Sequence, residues 1–284
     1  MIRPFVALLT LIAASSASAQ APSPDVPAGY HLLWSDEFAR EGLPDPSKWR
    51  FDTHANKGGW YNKELQYYAS ERPENARIEN GRLIITARRE ALSAAPDYGG
   101  QRYTSARLIT QGKATWTYGF FEIRAKLPCG AGSWPAIWML GAEAGWPDGG
   151  EIDILEHVGH QPGIVHSTVH TRASAGTHGS GNSLALPTAC SAFHRYQLEW
   201  TPEALRFSVD GVPVHSYSRA GREAAAWPFD KPQYLLLNLA IGGEWGGKVD
   251  DGIFPATFEI DYVRIYQKAG LGPSSSERAS GERG

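Results

Sequence analysis

The chain has 284 residues, with 27 lysines and arginines against 30 aspartates and glutamates, for a formal net charge of −3. This length suits one large domain, and the near-even charge with no long charged run argues against binding to nucleic acid or to an anionic membrane surface. The 31 glycines and 19 prolines indicate many short elements joined by turns.

The first 19 residues have the pattern of an export signal. Arg3 supplies the positive start, Phe5 to Ala14 form an apolar run, and Ala17-Ser18-Ala19 matches a cleavage motif with cutting before Gln20. The apolar run is too short to span a bilayer, and no other segment is long enough. We therefore expect a secreted or periplasmic protein, without a membrane anchor, in which residues 20–29 form a Pro-rich linker.

Short runs of β-forming residues follow the linker, and no long segment has apolar residues at helical spacing. The domain is predicted over residues 30–268, before a disordered polar tail at 269–284. Many short strands between Gly- and Pro-rich turns predict an all-β protein, a β-jelly-roll sandwich of two antiparallel sheets. The predicted strands are Ala76–Ile78, Arg82–Arg88, Ala106–Thr110, Tyr118–Lys126, Ala136–Leu140, Glu151–His157, Val165–Thr171, His194–Trp200, Ala204–Val209, Tyr234–Ala240 and Ala256–Gln267.

Three carboxylates fall within six residues in the segment Glu-Ile-Asp-Ile-Leu-Glu at 151–156. Strand alternation puts Glu151 and Asp153 on one face and the isoleucines on the other. Glu156 has the wrong parity for that face, so a β-bulge near Ile154–Leu155 is predicted to return it. The result is a row of three acids on one sheet face.

Carboxylates held this close repel one another, so at least one is expected to keep its proton at neutral pH. One ionised and one protonated carboxyl group are what the hydrolysis of a glycosidic bond needs. The same residues could instead form a solvated acidic edge or a divalent-metal site, and this segment by itself leaves those alternatives open.

Tryptophans surround the acidic segment in sequence. Trp134 and Trp138 share one face of the preceding predicted strand, and Trp146 lies in the turn that leads into Glu151. Aromatic faces stack on sugar rings, which favours a glycan ligand, although tryptophan is also a common core residue. Trp245, in the Gly-rich loop 242–247, is a further candidate at the rim of a cleft.

Polar candidates lie on other predicted elements. His166 and His170 share a strand face, where each could bind a carboxylate, a sugar or zinc, or could be structural. Asn62 belongs to a loop that mixes amides, charges and aromatic rings, as suits a hydroxyl-rich ligand, and Arg107 lies on a predicted strand.

Two further features concern structure rather than chemistry. Cys129 and Cys190, the only cysteines, are expected to pair in an oxidising compartment, the alternative being two buried thiols. Asp261 interrupts an apolar strand and could pair with an arginine or bind calcium.

With these residues in view, the chain resembles glycoside hydrolase family 16, and within it the bacterial laminarinase-type endo-β-1,3-glucanases. The resemblance runs from Trp-Ser-Asp-Glu-Phe at 34–38 to Ile-Asp-Tyr-Val-Arg-Ile-Tyr at 260–266, and rests on the segment 151–156, which has the inserted residue of the bulged subgroup. It implies a jelly roll with a concave cleft and a retaining double displacement without a catalytic cofactor.

The resemblance also implies roles for individual residues. Glu151 would be the nucleophile, Glu156 the acid and base, and Asp153 the helper between them. A structural calcium would bind the carbonyls of Glu37 and Gly81 and the side chain of Asp261. The positions expected to contact sugar are Asn62, Arg107, Trp134, Trp138, Trp146 and His170, with His170 fitting better than His166.

We therefore expect a monomeric, exported endo-1,3-β-glucanase whose partner is a β-glucan such as laminarin. Mixed-linkage glucanase or transglycosylase activity is the alternative within enzymes, and agarases and carrageenases share the bulged signature. A non-catalytic β-glucan-binding protein is the alternative from another class. Such proteins typically lack one of the two glutamates, and this chain has both Glu151 and Glu156.

Overall fold

The computed structural model describes residues 23–174 and 179–270, and it consists almost entirely of strands and turns. The predicted export signal and residues 271–284 of the predicted tail lie outside these ranges. Within them, no helix has the length and the apolar character needed to cross a membrane.

The strands of the described residues are numbered in chain order. They are β1 (Tyr30–Asp36), β2 (Arg50–Phe51), β3 (Gln66–Tyr68), β4 (Ala76–Glu79), β5 (Arg82–Ala87), β6 (Tyr103–Ser105), β7 (Arg107–Ile109), β8 (Gly119–Lys126), β9 (Ser133–Gly141), β10 (Glu151–Glu156), β11 (Ile164–His170), β12 (Ser180–Ala185), β13 (His194–Trp200), β14 (Ala204–Val209), β15 (Val212–Ser218), β16 (Gln233–Ile241) and β17 (Ala256–Lys268). The helical segments are α1 (Gly243–Gly246) and the 3-10 turns Tyr61–Lys63, Arg172–Ser174, Ala224–Ala226 and Asp251–Ile253.

The eleven predicted strands are all present, with ends shifted by a few residues at most. The strands that the sequence pattern misses are short or lie at sheet edges. β12 and β15 are the terminal strands of their sheets, and most of their side chains are exposed or half-buried. Such strands bury no full apolar face, so alternation leaves little signal in their sequences.

Two large antiparallel sheets form the sandwich. The back sheet has the order β15-β14-β13-β8-β17-β5-β4, with β1 also paired to β17. The site sheet has the order β12-β11-β10-β9-β16-β7-β2, so the acidic strand β10 lies near its middle. A third, small sheet pairs β3 with β6 in parallel. The jelly-roll prediction is confirmed.

The main core fills the space between the two large sheets. From β10 it takes Ile152, Ile154 and Leu155, each at most 1% exposed. Burying an aliphatic side chain of this size stabilises the fold by roughly 1.5–3 kcal/mol. These three side chains hold the inner face of β10 against the core, which leaves the acids on its outer face.

The predicted bulge lies inside β10. Glu151 and Glu156 are five residues apart, but their partners on β9 are Leu140 and Ala136, only four apart, because the register shifts between Asp153 and Leu155. Neighbours on β11 show a register shift in the same segment. The extra residue restores the parity of Glu156, so the bulge prediction is confirmed.

Candidate active site

Strand register arranges the outer face of the site sheet in three transverse rows. The first runs through Tyr234, Leu140, Glu151 and His170, the second through Leu236, Trp138, Asp153 and Thr168, and the third through Arg107, Asn238, Ala136, Glu156 and His166. Directly paired residues point to the same face of a sheet. The acids therefore occupy consecutive rows, each with a histidine or a threonine on one side.

Gly150 fixes the point where the chain enters β10. Its φ is +72°, and a Cβ added there would come within 2.6 Å of Phe229 Cε1 and of Pro228 Cγ. Only glycine adopts this conformation readily and leaves room for both neighbours. The sharp entry places the preceding turn, which carries Trp146, over the first acid of the row.

Glu151 is stabilised as a carboxylate by two donors. The Trp146 indole Nε1 donates to Glu151 Oε2 at 2.6 Å, and a hydrogen bond from Asp153 also favours the ionised form. Burial acts the other way and raises the pKa of Glu151 to about 7, with Arg107 lowering it in part. Of the two glutamates, Glu151 is therefore the one that loses its proton more readily.

Glu156 has a higher proton affinity than Glu151. Burial, followed by the nearby charge of Glu151, raises the pKa of Glu156 to about 8. A hydrogen bond of 3.1 Å from Trp134 Nε1 to Glu156 Oε1 offsets only part of this rise. The pair thus has one glutamate poised to ionise and one poised to carry a proton near neutral pH.

Asp153 lies between them and is almost fully buried. Burial raises its pKa well above the usual range, and the charges of Glu151 and Glu156 raise it further. A protonated Asp153 can donate to Glu151. On its other side, His170 Nε2 lies 3.5 Å from Asp153 Oδ2, and burial lowers the pKa of His170, which favours the neutral ring.

Trp138 forms a platform next to the acids and is held from below. Its Nε1 donates to Asn238 Oδ1 at 2.7 Å, and Asn238 Nδ2 donates to the Tyr68 hydroxyl at 3.0 Å. The guanidinium of Arg107 lies 4.8 Å from the ring centre of Trp138. This network fixes the plane of the indole before any ligand arrives.

Arg107, which is predicted to contact sugar, is held by other residues of the site. Its side chain is buried, lies between the rings of Trp60 and Trp138, and pairs with Asp52 at 3.0 Å. With these contacts, the guanidinium packs against Trp138, and its positive charge lowers the pKa of Glu151. The sequence could not show this, since Asp52 and Trp60 lie far from Arg107 along the chain.

The remaining predicted sugar contacts lie around the same face. Trp146 is 52% exposed, Trp134 is buried against Glu156, and Trp245 on α1 meets Trp134 edge to face at 5.5 Å. Asn62 is exposed in a 3-10 turn with a φ of +55°. The side chain of Asn62 hydrogen-bonds Glu64, and each of the three tryptophans contacts an acid or another aromatic ring of the site.

Two residues of the site were missed or set aside by sequence reasoning. Glu64 is half-buried, accepts a hydrogen bond from Gln66 Nε2 at 2.8 Å, and adds charge that raises the pKa of Glu156. His166 is the cross-strand neighbour of Glu156 on β11, and the centres of the His166 and Trp245 rings are 5.0 Å apart. The signal for Glu64 was its place in an amide- and aromatic-rich stretch, but only the tertiary fold brings that stretch over Gly242.

The predicted calcium positions lie near residues 260–263, in the middle of β17. Asp36, beside Glu37, pairs with Val263, and Leu83, two residues after Gly81, pairs with Ile260. The Asp261 carboxylate accepts a 2.5 Å hydrogen bond from Arg124, which was the alternative reading of that residue. The Glu37 carboxylate pairs with Arg264, leaving its carbonyl as the predicted ligand.

Cys129 and Cys190 are joined by a disulfide, with their Cα atoms 5.8 Å apart. The bond ties the segment after β8 to the loop before β13. The predicted pairing is thus the one in the structure.

Two glutamates of unequal proton affinity on the outer face of a β-sandwich have the chemistry that the hydrolysis of a glycosidic bond needs. The family model for glycosyl hydrolases family 16 matches residues 63–264, and the chain belongs to this family. A β-glucanase of Rhodothermus marinus is 51% identical over 252 residues, covering 84% of this chain and 85% of the relative.

Solved structures agree with the family assignment. A non-specific endo-β-1,3(4)-glucanase of family 16, named SCLam, superposes with a TM-score of 0.83 at 50% identity, covering 86% of this chain and 93% of that structure. The laminarinase of Rhodothermus marinus superposes with a TM-score of 0.79 at 50% identity, covering 84% and 97%.

Proposed function

We propose that this protein is an endo-1,3-β-glucanase that hydrolyses β-glucans such as laminarin with retention of configuration. One observation carries the mechanism: Glu151 and Glu156 lie on one sheet face, and different hydrogen-bond donors and neighbouring charges separate their proton affinities. The choice of β-1,3-glucan is supported by relatives whose names specify β-glucan or laminarin.

In the first step, the Glu151 carboxylate attacks the anomeric carbon while Glu156 gives its proton to the leaving glycosidic oxygen. The carbon–oxygen bond to the aglycone breaks, and a covalent glycosyl ester forms on Glu151 with inversion. The indole of Trp146 and the protonated Asp153 keep Glu151 ionised until it reacts.

In the second step, the ionised Glu156 takes a proton from water as the water oxygen attacks the same carbon. The ester bond breaks, Glu151 leaves as a carboxylate, and the second inversion restores the original configuration. Trp138 and Trp146 offer apolar faces for the sugars on either side of the scissile bond, where C–H groups pack on indole rings.

The test is digestion of laminarin by the mature protein, with products resolved by size over time. We expect oligosaccharides of mixed length early in the reaction, because an endo-acting enzyme cuts within the chain. Release of only one short product would contradict the endo mode. Cleavage of agarose or carrageenan in place of laminarin would contradict the substrate.

Two variants separate the roles of the glutamates. Glu151→Gln should abolish turnover and keep glucan binding, and hydrolysis near the wild-type rate would rule out its role as nucleophile. Glu156→Ala should regain activity with azide on a substrate bearing a good leaving group. Absence of this rescue would count against its role as acid and base.

Mixed-linkage β-1,3-1,4-glucan is the second candidate substrate. It is favoured by the similarity to SCLam, whose name describes a non-specific endo-β-1,3(4)-glucanase. Parallel digestion of laminarin and barley glucan distinguishes the two, since a strict β-1,3 enzyme leaves the barley polymer at high molecular mass.

We also propose the calcium site on Glu37, Gly81 and Asp261. A calcium ion there would share the Asp261 carboxylate with Arg124, which binds only Oδ2. Excess chelator should lower the melting temperature and added calcium should restore it, since a ligand bound only by the folded state stabilises it. An unchanged melting temperature would argue against the site.

Export is proposed on the residues of the signal alone. Expression of the full chain in a bacterial host should give a mature N-terminus at Gln20, outside the cytoplasm. Retention of Met1 in the purified protein would contradict it.

A further inference from the structure

A second cluster of reactive side chains lies beside the active site but outside the cleft. His157, the residue after Glu156, is fully buried next to the disulfide of Cys129 and Cys190. One ligand atom from each of the three residues lies within 4.8 Å of the other two. The proposed hydrolysis uses none of them.

The hydrogen bonding of His157 fixes which ring nitrogen has the free lone pair. Nδ1 lies 2.8 Å from the carbonyl oxygen of Ile164, which can only accept, so Nδ1 carries the hydrogen. Nε2 is then an acceptor, and the one atom within hydrogen-bonding distance of it among residues 23–174 and 179–270 is Cys129 Sγ at 3.8 Å. Burial lowers the pKa of His157, so the ring stays neutral.

A disulfide sulfur has no hydrogen to give to this lone pair. Nε2 therefore has no hydrogen-bond donor among the described residues while the disulfide is closed. The group is oriented toward a partner that the oxidised cluster does not provide.

We infer that, once its disulfide is reduced, the cluster of Cys129, His157 and Cys190 is a binding site for a thiophilic divalent cation, with Zn²⁺ as the expected ion. A thiol reductant supplies two electrons and two protons, which break the S–S bond and give two thiols. The metal then displaces both thiol protons and binds two thiolates and the neutral imidazole.

The observed spacing suits that ion. Zinc binds sulfur at about 2.3 Å and nitrogen at about 2.0 Å, so a tetrahedral site separates its ligand atoms by about 3.5–3.8 Å. The separation of Nε2 and Cys129 Sγ is already 3.8 Å, and the two sulfurs need only move apart after reduction. Two thiolates neutralise the ion, which a buried site requires.

The surroundings complete the site. The hydrogen bond from His157 Nδ1 to the carbonyl oxygen of Ile164 fixes the orientation of the imidazole ring, as hydrogen bonds to metal-binding histidines do in metal proteins. Both cysteines are partly exposed, so solvent can reach the fourth position. The metal would join the same two segments that the disulfide joins, one after β8 and one before β13. Through His157 it would also bind the segment that follows β10.

The test uses Co²⁺ as a spectroscopic probe of the mature protein. Reduced, metal-free protein should bind one equivalent, with thiolate-to-cobalt charge-transfer absorption and the visible bands of a tetrahedral ion, and Zn²⁺ should displace it. Oxidised protein should give neither signal. Absence of these bands in reduced protein that stays folded would overturn the inference.

Variants assign the ligands. His157→Gln should weaken the affinity by at least about tenfold, since even outer-shell partners are worth that much, whereas His31→Gln, which changes an exposed histidine on β1, should not alter it. Unchanged affinity in His157→Gln would mean that the thiols alone hold the ion. Cys129→Ser with Cys190→Ser, which needs no reductant, should abolish the charge-transfer band, and a band that persists would overturn the site.

Folding of the reduced protein is followed by its melting temperature in the same samples. Zn²⁺ should raise the melting temperature of the reduced wild type and leave that of the oxidised protein unchanged. If reduction unfolds the protein and Zn²⁺ does not restore the fold, the site does not exist. These readouts are independent of glucan hydrolysis.

Discussion

At the scale of single residues, the neighbours of the two glutamates give them different pKa values. Glu151 and Glu156 are chemically identical side chains in a similarly buried setting. Glu151 receives hydrogen bonds from Trp146 and Asp153, whereas Glu156 receives one from Trp134 and feels the charges of Glu151 and Glu64. Donors lower a carboxyl pKa and like charges raise it, so the neighbours decide the roles.

Trp146→Phe should move the acid limb of the kcat/KM profile to higher pH. The change removes the indole N–H that stabilises ionised Glu151 and keeps an aromatic face. A hydrogen bond to a charged group is worth about 1.5–3 kcal/mol when buried, and Trp146 is half-exposed, so we expect a shift of about half a pKa unit to one unit. Initial rates on laminarin across pH measure it.

The matched control is Trp245→Phe, which changes a ring of the site that does not contact Glu151. It should affect KM and leave the acid limb in place. An acid limb that is the same in Trp146→Phe and in the wild type would show that the indole does not set the pKa of Glu151.

Glu156→Gln should stabilise the protein at alkaline pH more than at acid pH. The pKa of Glu156 rises from an ordinary 4.5 to about 8 on folding, so the folded state holds a proton that the unfolded state releases between these values. The stability contributed by Glu156 is therefore full below pH 4.5 and is lost as the pH rises through 8. Glutamine carries no such penalty.

Melting temperatures of Glu156→Gln and the wild type at pH 4 and pH 8 test this sign. The difference between the two proteins should grow toward pH 8 by about 2 °C or more. Glu203→Gln, an exposed change away from the site, should show no such growth. A constant difference for Glu156→Gln would contradict the direction of the pKa shift.

At the scale of elements, β10 must present three acids outward and an apolar face inward although its two glutamates are five residues apart. The bulge between Asp153 and Leu155 solves this, because two residues of β10 there face one residue of β9. Gly150 sets the entry of the strand, and the core residues on its inner face fix its register.

Ile152→Ala should lower the free energy of unfolding by about 2–5 kcal/mol, because Ile152 is completely buried between two acids and its removal leaves a cavity. Leu33→Ala, on a strand at the surface with 45% exposure, should change stability by no more than about 0.5 kcal/mol. Denaturant unfolding measures both. Equal effects would mean that the inner face of β10 does not hold the strand in place.

At the scale of the whole molecule, the sandwich brings distant segments to one surface. The loop before β3 reaches Gly242, Arg107 of β7 braces Trp138 of β9, and the turn after β9 covers Glu151. The disulfide adds a covalent tie between residues 61 apart in sequence.

Replacing both Cys129 and Cys190 by serine should cost about 4 kcal/mol, because the unfolded chain regains the freedom that a loop of this length loses on closure. Thermal unfolding of oxidised wild type and double variant gives the difference. A melting temperature that does not fall would show that the disulfide does not constrain the unfolded chain.

The sequence by itself determined the strands with strong alternation, the outward row of acids and the need for a bulge, because these depend on side-chain parity along one strand. It also identified the tryptophans that border the acids, since Trp134, Trp138 and Trp146 all precede Glu151 by fewer than twenty residues. The sequence did not predict edge strands such as β12, because the side chains of an exposed strand show no apolar alternation.

Only the tertiary structure showed why the two glutamates differ in proton affinity, because that depends on donors and charges contributed by other strands and loops. It also placed the guanidinium of Arg107 against Trp138, and it brought Glu64 and His166 to the site. A carboxyl pKa responds to burial and to neighbours within a few ångströms, and sequence distance carries no information about either.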